Sequence, residues 1–95
     1  MRFACLCCGF LTLPEEPPGT YAICPVCYWE DDYAQGIDPT LSGGANVPSL
    51  RSARAVFAEC GAVEDRFVAL VRDPLPEEHP DLRSSDLGEG RSDSP

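Results

Sequence analysis

Two pairs of cysteines constrain this chain of 95 residues more than any other feature of its sequence. Cys5 and Cys8 form one Cys-x-x-Cys pair, and Cys24 and Cys27 form a second pair after an interval of fifteen residues. Two residues between thiols allow a tight turn to aim both sulfur atoms at one point, and two such turns complete a tetrahedral set. The spacing therefore predicts a metal site whose four ligands are these cysteines.

Zinc is the metal that four thiolates at this spacing favour in a reducing compartment. A mononuclear iron site like that of rubredoxin uses the same ligand set and stays open as the alternative. Tyr28 argues against iron, because it stands where the second turn of rubredoxin has glycine. Disulfides are the third interpretation, and the crowding of cysteines at positions 5, 7 and 8 argues against them.

Two further cysteines lie outside the pattern. Cys7 is either the solvent-facing residue of the first turn or a replacement for Cys5 or Cys8 as a ligand, and the standard spacing favours the first interpretation. Cys60 lies on a predicted apolar helix face, where we expect a small buried hydrophobic side chain.

The small size of the chain makes a metal energetically useful. Glycine and proline account for 8 and 10 residues and aromatic residues for 8% of the chain, so little apolar surface is left for a core. Such a core contributes only about 3 to 5 kcal/mol, whereas structural zinc adds about 10 to 16 kcal/mol at neutral pH. We expect the cysteine-rich part to unfold without metal. Four thiolates on zinc carry a net charge of −2, and Arg2 is the nearest basic residue in sequence.

The charge of the chain restricts its partners. Sixteen acidic residues against seven basic ones, all arginine, give a formal net charge of −9. This charge disfavours binding to nucleic acids and to anionic membrane surfaces, so we expect an unknown protein partner that is basic or apolar. The N-terminus has no apolar leader and no apolar run reaches membrane-spanning length, which predicts a cytoplasmic protein.

The composition predicts a small metal-stabilised α+β fold with a zinc-ribbon-like β-hairpin head, two short C-terminal helices and a disordered tail. We expect one cysteine-rich metal-binding domain over residues 1–79. It divides into the head at 1–33, a connecting loop at 34–48 and a helical pair at 49–72, and a disordered acidic tail follows at 80–95. Short strand signals lie at residues 10–13 and 20–23 of the head.

The helical pair has marked ends. Ser49 suits the N-cap of the first helix and Gly61 its C-cap. The apolar positions between them recur at helical spacing, at Leu50, Ala53, Phe57 and Cys60. A second helix follows Glu64 and Asp65, with an apolar stripe at Val63, Phe67, Leu70 and Val71, and Asp73-Pro74 ends it.

Other candidate residues favour structural roles. We expect the carboxylates of residues 30–32 to form a solvated turn that caps nearby N–H groups, rather than a cation site. Trp29 is expected in the core, while the role of Tyr33 stays open. Asn46 is expected in a buried loop where it satisfies backbone groups.

The sequence disfavours catalysis. The only histidine, His79, lies in a polar segment without a recognisable nucleophile, so no hydrolytic triad forms around it. A zinc ion closed by four thiolates also lacks the open position that activates water. We therefore predict no catalytic residues and no enzyme activity.

Several segments together resemble the bacterial cysteine-rich CPCC family, which is named for a Cys-Pro-Cys-Cys run. The similar segments are CLCCGF at 5–10, YAICPVCYWEDD at 21–32, GGAN at 43–46 and SL at 49–50. The resemblance spans about residues 3 to 79, and Leu6 departs from the proline of the run. It implies a metal-binding fold in an intracellular bacterial setting, and it implies no activity.

These observations lead to two functional hypotheses. In the first, the chain is a structural zinc-binding domain that acts as a protein-interaction module, with a surface that includes residues 29–33. In the second, it is a rubredoxin-like iron protein that transfers electrons through the same four cysteines. An enzyme that uses the carboxylate cluster is a third possibility, which a second bound cation would support.

Overall fold

Two short strands and two α-helices are joined by loops and 3₁₀ segments in the computed structural model, which describes residues 2–80. Strand β1 spans Phe3–Ala4 and strand β2 spans Leu11–Leu13. Helix α1 spans Tyr33–Ile37 and helix α2 spans Leu50–Cys60. The 3₁₀ segments are Asp65–Leu70 and Pro76–Glu78. The predicted tail at 80–95 lies, apart from Pro80, outside the described residues.

In the head, the segments before and after each cysteine turn pair with each other. The two turns are not joined by strand pairing. β1 and β2 are antiparallel, with Phe3 opposite Leu13 and Ala4 opposite Leu11. The predicted strand at 10–13 is thus confirmed over 11–13, whereas the segment at 20–23 forms only an isolated bridge between Ile23 and Glu30. Each turn reverses the chain locally, and closing a short loop costs less entropy than pairing segments across the longer interval.

Helix α2 begins and ends at the predicted caps. The Ser49 hydroxyl oxygen accepts a hydrogen bond from the Ser52 N–H at 3.1 Å. Gly61 takes a left-handed φ of +89° and its N–H donates to the Phe57 carbonyl at 2.9 Å. Of the apolar side chains on the helix, those of Leu50 and Ala53 are buried. The first helix of the predicted pair is therefore confirmed.

The prediction of a second α-helix is wrong. The segment Asp65–Leu70 is a 3₁₀ helix, no residue of it is fully buried, and Glu64 makes no side-chain cap. Backbone hydrogen bonds tie its two flanks to the second cysteine turn: the Val63 N–H donates to the Cys27 carbonyl at 2.9 Å and the Arg72 N–H to the Pro25 carbonyl at 3.1 Å. A short connector held at both ends in this way adopts the tighter 3₁₀ geometry.

The connecting loop at 34–48 contains more structure than its sequence predicts. Helix α1 begins after Asp32, whose side chain caps it by accepting from the Gln35 N–H. The Gln35 side chain is fully buried, and its amide nitrogen donates to three loop carbonyls, those of Leu41, Asn46 and Pro48. A buried amide with several partners fixes an irregular loop in one conformation. This role of Gln35 was not predicted.

The core lies between the cysteine turns and helix α2. The predicted burial of Trp29 is confirmed, because its side chain is only 1% exposed. Other buried apolar side chains around it are Leu13, Val26, Leu50, Ala53 and Val63. Within residues 2–80, no helix has the length and apolar character needed to cross a lipid bilayer.

Candidate metal centre

The four cysteines of the two predicted pairs converge. The sulfur atoms of Cys5, Cys8, Cys24 and Cys27 all lie within 4.8 Å of one another. The Cys5 and Cys27 sulfurs are 3.6 Å apart, and those of Cys8 and Cys24 are 3.7 Å apart. Four sulfurs around a metal at a bond length of about 2.3 Å are about 3.8 Å apart in tetrahedral geometry. The donor set and its spacing therefore fit one tetrahedral metal ion.

The two cysteine turns have the same backbone hydrogen bonds. In each turn, the N–H of the first cysteine pairs with a carbonyl five residues later, and its carbonyl accepts from the N–H four residues later. The bonds are Cys5 N–H to Phe10 and Gly9 N–H to Cys5, both at 2.9 Å, then Cys24 N–H to Trp29 at 2.9 Å and Tyr28 N–H to Cys24 at 2.8 Å. Two equivalent turns thus face each other across the sulfur cluster.

The residue after each turn has a positive φ. Gly9 has φ +82°, and Tyr28, at the equivalent position, has φ +73°. Such a conformation is strained for a side chain other than glycine. The Tyr28 ring packs against that of Phe67, with 4.4 Å between the centroids, which helps to hold it there. A tyrosine at this position therefore leaves the geometry of the turn unchanged.

Backbone N–H groups point at two of the sulfurs. The Cys7 N–H donates to the Cys5 sulfur and the Trp29 N–H donates to the Cys27 sulfur, both at 3.4 Å. Hydrogen bonds of this kind disperse the negative charge of thiolate ligands. The surrounding backbone is therefore arranged for thiolates rather than for neutral thiols.

A third polar contact to a ligand sulfur comes from a side chain, and the sequence did not predict this contact. The Thr12 hydroxyl lies 3.0 Å from the Cys24 sulfur. Thr12 is buried in the middle of β2, and a polar residue between Leu11 and Leu13 is the only local signal for this role. The remaining ligand candidate, Cys8, is partly exposed, whereas the other three are buried.

The proximity of the four sulfurs perturbs their ionisation. Hydrogen bonding to Cys24 raises the pKa of the Cys8 and Cys27 thiols well above the usual range. Donation from Cys27 and Cys5 lowers the pKa of the Cys24 thiol. Four adjacent negative charges repel each other, so the cluster without a metal keeps part of its protons. A divalent cation would release the remaining protons by replacing them.

The other two cysteines lie outside the cluster of four. Cys7 is not solvent-facing, which corrects the favoured prediction: its side chain is 9% exposed and packs in the hydrophobic core. Cys60 is partly buried at the end of α2, and its thiol donates to the Ala62 carbonyl at 3.5 Å. All six cysteines are free thiols in the structure.

Residues distant in sequence brace the two turns. The Arg54 guanidinium on α2 donates twice to the Leu6 carbonyl in the first turn, at 2.9 and 2.7 Å. Arg72 supports the second turn through its backbone bond to Pro25, and its side chain is held by Glu78 at 2.9 Å. No local pattern marks these contacts, because Arg54 and Leu6 are 48 residues apart.

Arg2, the predicted charge partner, acts through the neighbouring strand. Its guanidinium donates to the Thr12 carbonyl at 3.1 Å. The Thr12 hydroxyl in turn contacts the Cys24 sulfur. Arg2 therefore stabilises the hairpin that presents Thr12.

Two residues of the acidic segment at 30–32, Asp31 and Asp32, hold backbone N–H groups inside the fold. The Asp31 carboxylate accepts from the Thr20 N–H at 2.9 Å, and that of Asp32 accepts from the N–H groups of Gln35 and Ala45 at 3.0 and 2.9 Å. Both side chains are buried, so the predicted capping is confirmed and the predicted solvation is wrong for these two residues, whereas Glu30 is half-buried. These backbone donors, first that of Gln35, hold the pKa of Asp32 below its usual value.

Two of the three remaining candidate residues, Asn46 and His79, make structural contacts. Asn46 is buried and pairs with Glu30 and Gln35, as predicted for a loop residue that satisfies backbone groups. His79 packs edge-on against Phe10, with 5.0 Å between the ring centroids. Tyr33, whose role was open, is exposed at the start of α1.

Comparison with known proteins agrees with this arrangement. The family model described as "Cysteine-rich CPCC" matches residues 3–78, and the chain therefore belongs to this family. The match confirms the resemblance identified in the sequence. No curated protein matches the chain.

Proposed function

We propose that this member of the cysteine-rich CPCC family is a small protein-interaction module whose fold is held by a structural zinc ion. Cys5, Cys8, Cys24 and Cys27 would hold the ion. The observation that carries the proposal is the convergence of these four sulfurs within 4.8 Å. Bound zinc would contribute folding free energy rather than catalysis, because an all-thiolate set leaves no open position for a reactant.

The connection between the two cysteine hairpins supports a structural role for the metal. Within residues 2–80, no backbone hydrogen bond joins the β1–β2 hairpin to the segment around the Ile23–Glu30 bridge. The sulfur cluster and the Thr12 contact link them, together with the apolar packing of Leu13 in the same core as Trp29. A metal at this point would convert two small hairpins into one unit.

We place the protein among non-enzymes and in the cytoplasm. The only histidine packs edge-on against the ring of Phe10 in a structural contact, which supports a non-catalytic role. A cytoplasmic location keeps thiols reduced and available to a metal, in line with the six free cysteines. The acidic charge supports a basic or apolar protein as the partner.

Iron at the same four cysteines is the second candidate. Tyr28 adopts a φ of +73°, the conformation that glycine takes in the first turn, so its side chain no longer argues against a rubredoxin-like site. The partial exposure of Cys8 would also give electrons a route to the surface. This candidate predicts a coloured protein that can be reduced.

Metal analysis separates the two candidates. We would express the full chain in zinc-supplemented and iron-supplemented media and measure the metal per chain, the visible spectrum and the reduction potential. Zinc at about one ion per chain in both media, with no colour, is the result expected from the proposal. A red species that is reversibly reduced would favour the electron-transfer candidate and contradict ours.

The interaction part of the proposal needs its own measurement. Metal-loaded chain and Cys24→Ser chain would be immobilised and exposed to the native host lysate. We expect capture of a basic or apolar protein by the metal-loaded chain alone. Equal capture by both chains, or none by either, would contradict a metal-dependent interaction module.

A further inference from the structure

The segment that carries the second cysteine pair has one closed edge. Glu30 directs its backbone N–H and carbonyl away from the turn, and the side-chain amide of Asn46 pairs with both. The Asn46 oxygen accepts from the Glu30 N–H at 2.9 Å, and the Asn46 nitrogen donates to the Glu30 carbonyl at 2.8 Å. Asn46 thus occupies the place of a neighbouring strand and blocks further pairing at this edge.

The opposite edge is open at Ile23. Ile23 bridges Glu30 in an antiparallel pair. The two flanking hydrogen bonds run from the Asp31 N–H to the Ala22 carbonyl at 3.0 Å and from the Cys24 N–H to the Trp29 carbonyl at 2.9 Å. In this pattern the N–H and carbonyl of Ile23 point outward. Within residues 2–80 neither has a hydrogen-bond partner.

A shallow groove of mixed polarity lies on the face of the pair that carries the Ile23 and Glu30 side chains. The groove has a volume of about 90 Å³. Its apolar lining includes Ile23, Tyr28, Val47 and Phe67, and Glu30, Asn46, Glu64 and Arg66 also line it. The Ile23 side chain is 47% exposed and that of Val47 is 67% exposed. Exposed apolar side chains beside unpaired backbone groups are typical of sites where an extended peptide adds a strand.

The charge of the groove selects the peptide. Glu30 and Glu64 both line it. Arg66 pairs with Glu64 at 3.0 Å, while the Glu30 carboxylate has no partner among residues 2–80. The formal net charge of −9 adds a field that attracts cations. A segment with a basic side chain near Glu30 complements the negative charge of the groove and of the whole molecule.

We propose that the open edge at Ile23 binds an extended segment of a partner protein in which an apolar and a basic residue lie two positions apart, so that both side chains are on the face of Ile23 and Glu30. One residue of the segment pairs with the Ile23 N–H and carbonyl, an apolar side chain enters the groove, and an arginine or lysine contacts Glu30. This inference rests on the proposed interaction function and assigns its surface and the chemistry of its partner. The edge is short, because Tyr21 has a φ of +58° and breaks the extended conformation two residues earlier.

Synthetic peptides test the inference on the full, zinc-loaded chain. The probe is acetyl-Arg-Thr-Val-Thr-Arg-amide, whose valine and arginines share one face, and its controls are the same peptide with glutamate in place of arginine and one methylated at the backbone nitrogen of its central residue. We expect the probe to shift and protect the Ile23 amide resonance. Each control should bind at least about tenfold more weakly, which equals about 1.4 kcal/mol.

Variants of the protein locate the binding surface. Ile23→Arg should weaken the binding of the arginine peptide at least about tenfold, since it removes the apolar side chain and adds a positive charge that repels the basic peptide. Ile37→Arg is the matched control, because Ile37 is 61% exposed on α1 and lies outside the groove. It should bind the peptide as the parent does. The N-methylated peptide keeps the test valid if Ile23→Arg unfolds the chain.

Three outcomes would overturn the inference: equal binding of the arginine and glutamate peptides, unchanged binding by folded Ile23→Arg, or no binding by the parent. Self-association that Ile23→Arg abolishes would assign the edge to a second copy instead, and would also overturn it. None of these results bears on the metal-dependent capture experiment, so the proposed function can stand when the peptide site fails.

Discussion

The side-chain amide of Asn46 satisfies both backbone groups of Glu30, a residue sixteen positions earlier in the chain. The same amide nitrogen also donates to the Gln35 side-chain oxygen at 3.0 Å. One buried side chain thereby joins the loop before α2 to the segment that follows the second cysteine turn. The position of the loop depends on this residue rather than on strand pairing.

Removal of this amide should be costly. We expect Asn46→Ala to lower the free energy of unfolding of the metal-loaded chain by about 2 to 4 kcal/mol, because several polar groups lose their partner. Thr40→Ala is the control: the Thr40 hydroxyl donates to Asp38 at 2.7 Å in an exposed pair, and its loss should cost at most about 0.5 kcal/mol. Denaturant unfolding measures both, and similar losses would contradict the structural role of Asn46.

The positive φ of Gly9 gives a second prediction. Gly9→Ala should destabilise the metal-loaded chain by about 1 to 2 kcal/mol. The cause would be backbone strain alone, because a Cβ at Gly9 would meet no atom within 4 Å. D-alanine at the same position, introduced by chemical synthesis, favours positive φ and should restore the stability. Equal destabilisation by both residues would show that the strain argument is wrong.

The cysteines should divide into two classes when replaced by serine. Cys24→Ser should abolish metal binding and cooperative unfolding, because three sulfurs cannot complete the tetrahedral set. Cys60→Ser is the matched control, since Cys60 lies outside the cluster of four. It should keep the full metal content and only lower the stability. Metal analysis of the purified variants decides, and metal loss in both would contradict the proposed ligands.

Metal removal should be visible through the single tryptophan. Trp29 is 1% exposed and its backbone N–H donates to the Cys27 sulfur. We expect a chelator to shift the Trp29 emission to longer wavelength as the core opens, and added zinc to reverse the shift. Unchanged emission and circular dichroism after complete metal removal would contradict the structural role of the metal.

Asp32 should contribute to the acid sensitivity of the fold. Its folded-state pKa is lowered by the Gln35 and Ala45 N–H groups, so it stabilises the fold above its unfolded-state pKa of about 3.9. This contribution is lost as the pH falls through the folded-state value. Asp32→Asn should cost about 1 kcal/mol at pH 7, because the amide group loses one of the two acceptors.

The pH dependence of this cost is the test. The difference in unfolding free energy between the parent and Asp32→Asn should shrink as the pH falls below about 4, while metal release in acid affects both chains alike. Glu16→Gln is the control, since the Glu16 side chain is exposed and should give little change at any pH. A difference that stays constant from pH 7 to pH 3 would contradict the role of the Asp32 charge.

Much of the candidate site could be predicted from local spacing. The two Cys-x-x-Cys pairs, the caps at Ser49 and Gly61 and the burial of Trp29 all have signals within a few residues. Turn geometry and helix capping depend on neighbours in the chain, which explains why the convergence of the two pairs, the helix caps and the burial of Trp29 agree with prediction. The same reasoning identified Asn46 as a residue that satisfies backbone groups.

Predictions that depended on distant partners were less successful. The prediction of a second α-helix is wrong because backbone hydrogen bonds to Cys27 and Pro25 hold the two ends of the segment. The apolar periodicity of the sequence does not reveal those bonds. The acidic turn was expected in water, yet Asp32 is buried under a loop thirteen residues away. Gln35 and Arg54 were missed because an isolated polar residue in a sequence does not indicate which carbonyls it will meet.

The sequence alone determined which residues can bind a metal, since sulfur chemistry and the spacing of two residues within each pair are local properties. Tertiary structure decided how the two pairs face each other, which side of the second hairpin is closed by Asn46, and which side stays open at Ile23. The reason is physical: a turn is fixed by the dihedral angles of adjacent residues, whereas an edge is open or closed according to what the rest of the chain places beside it.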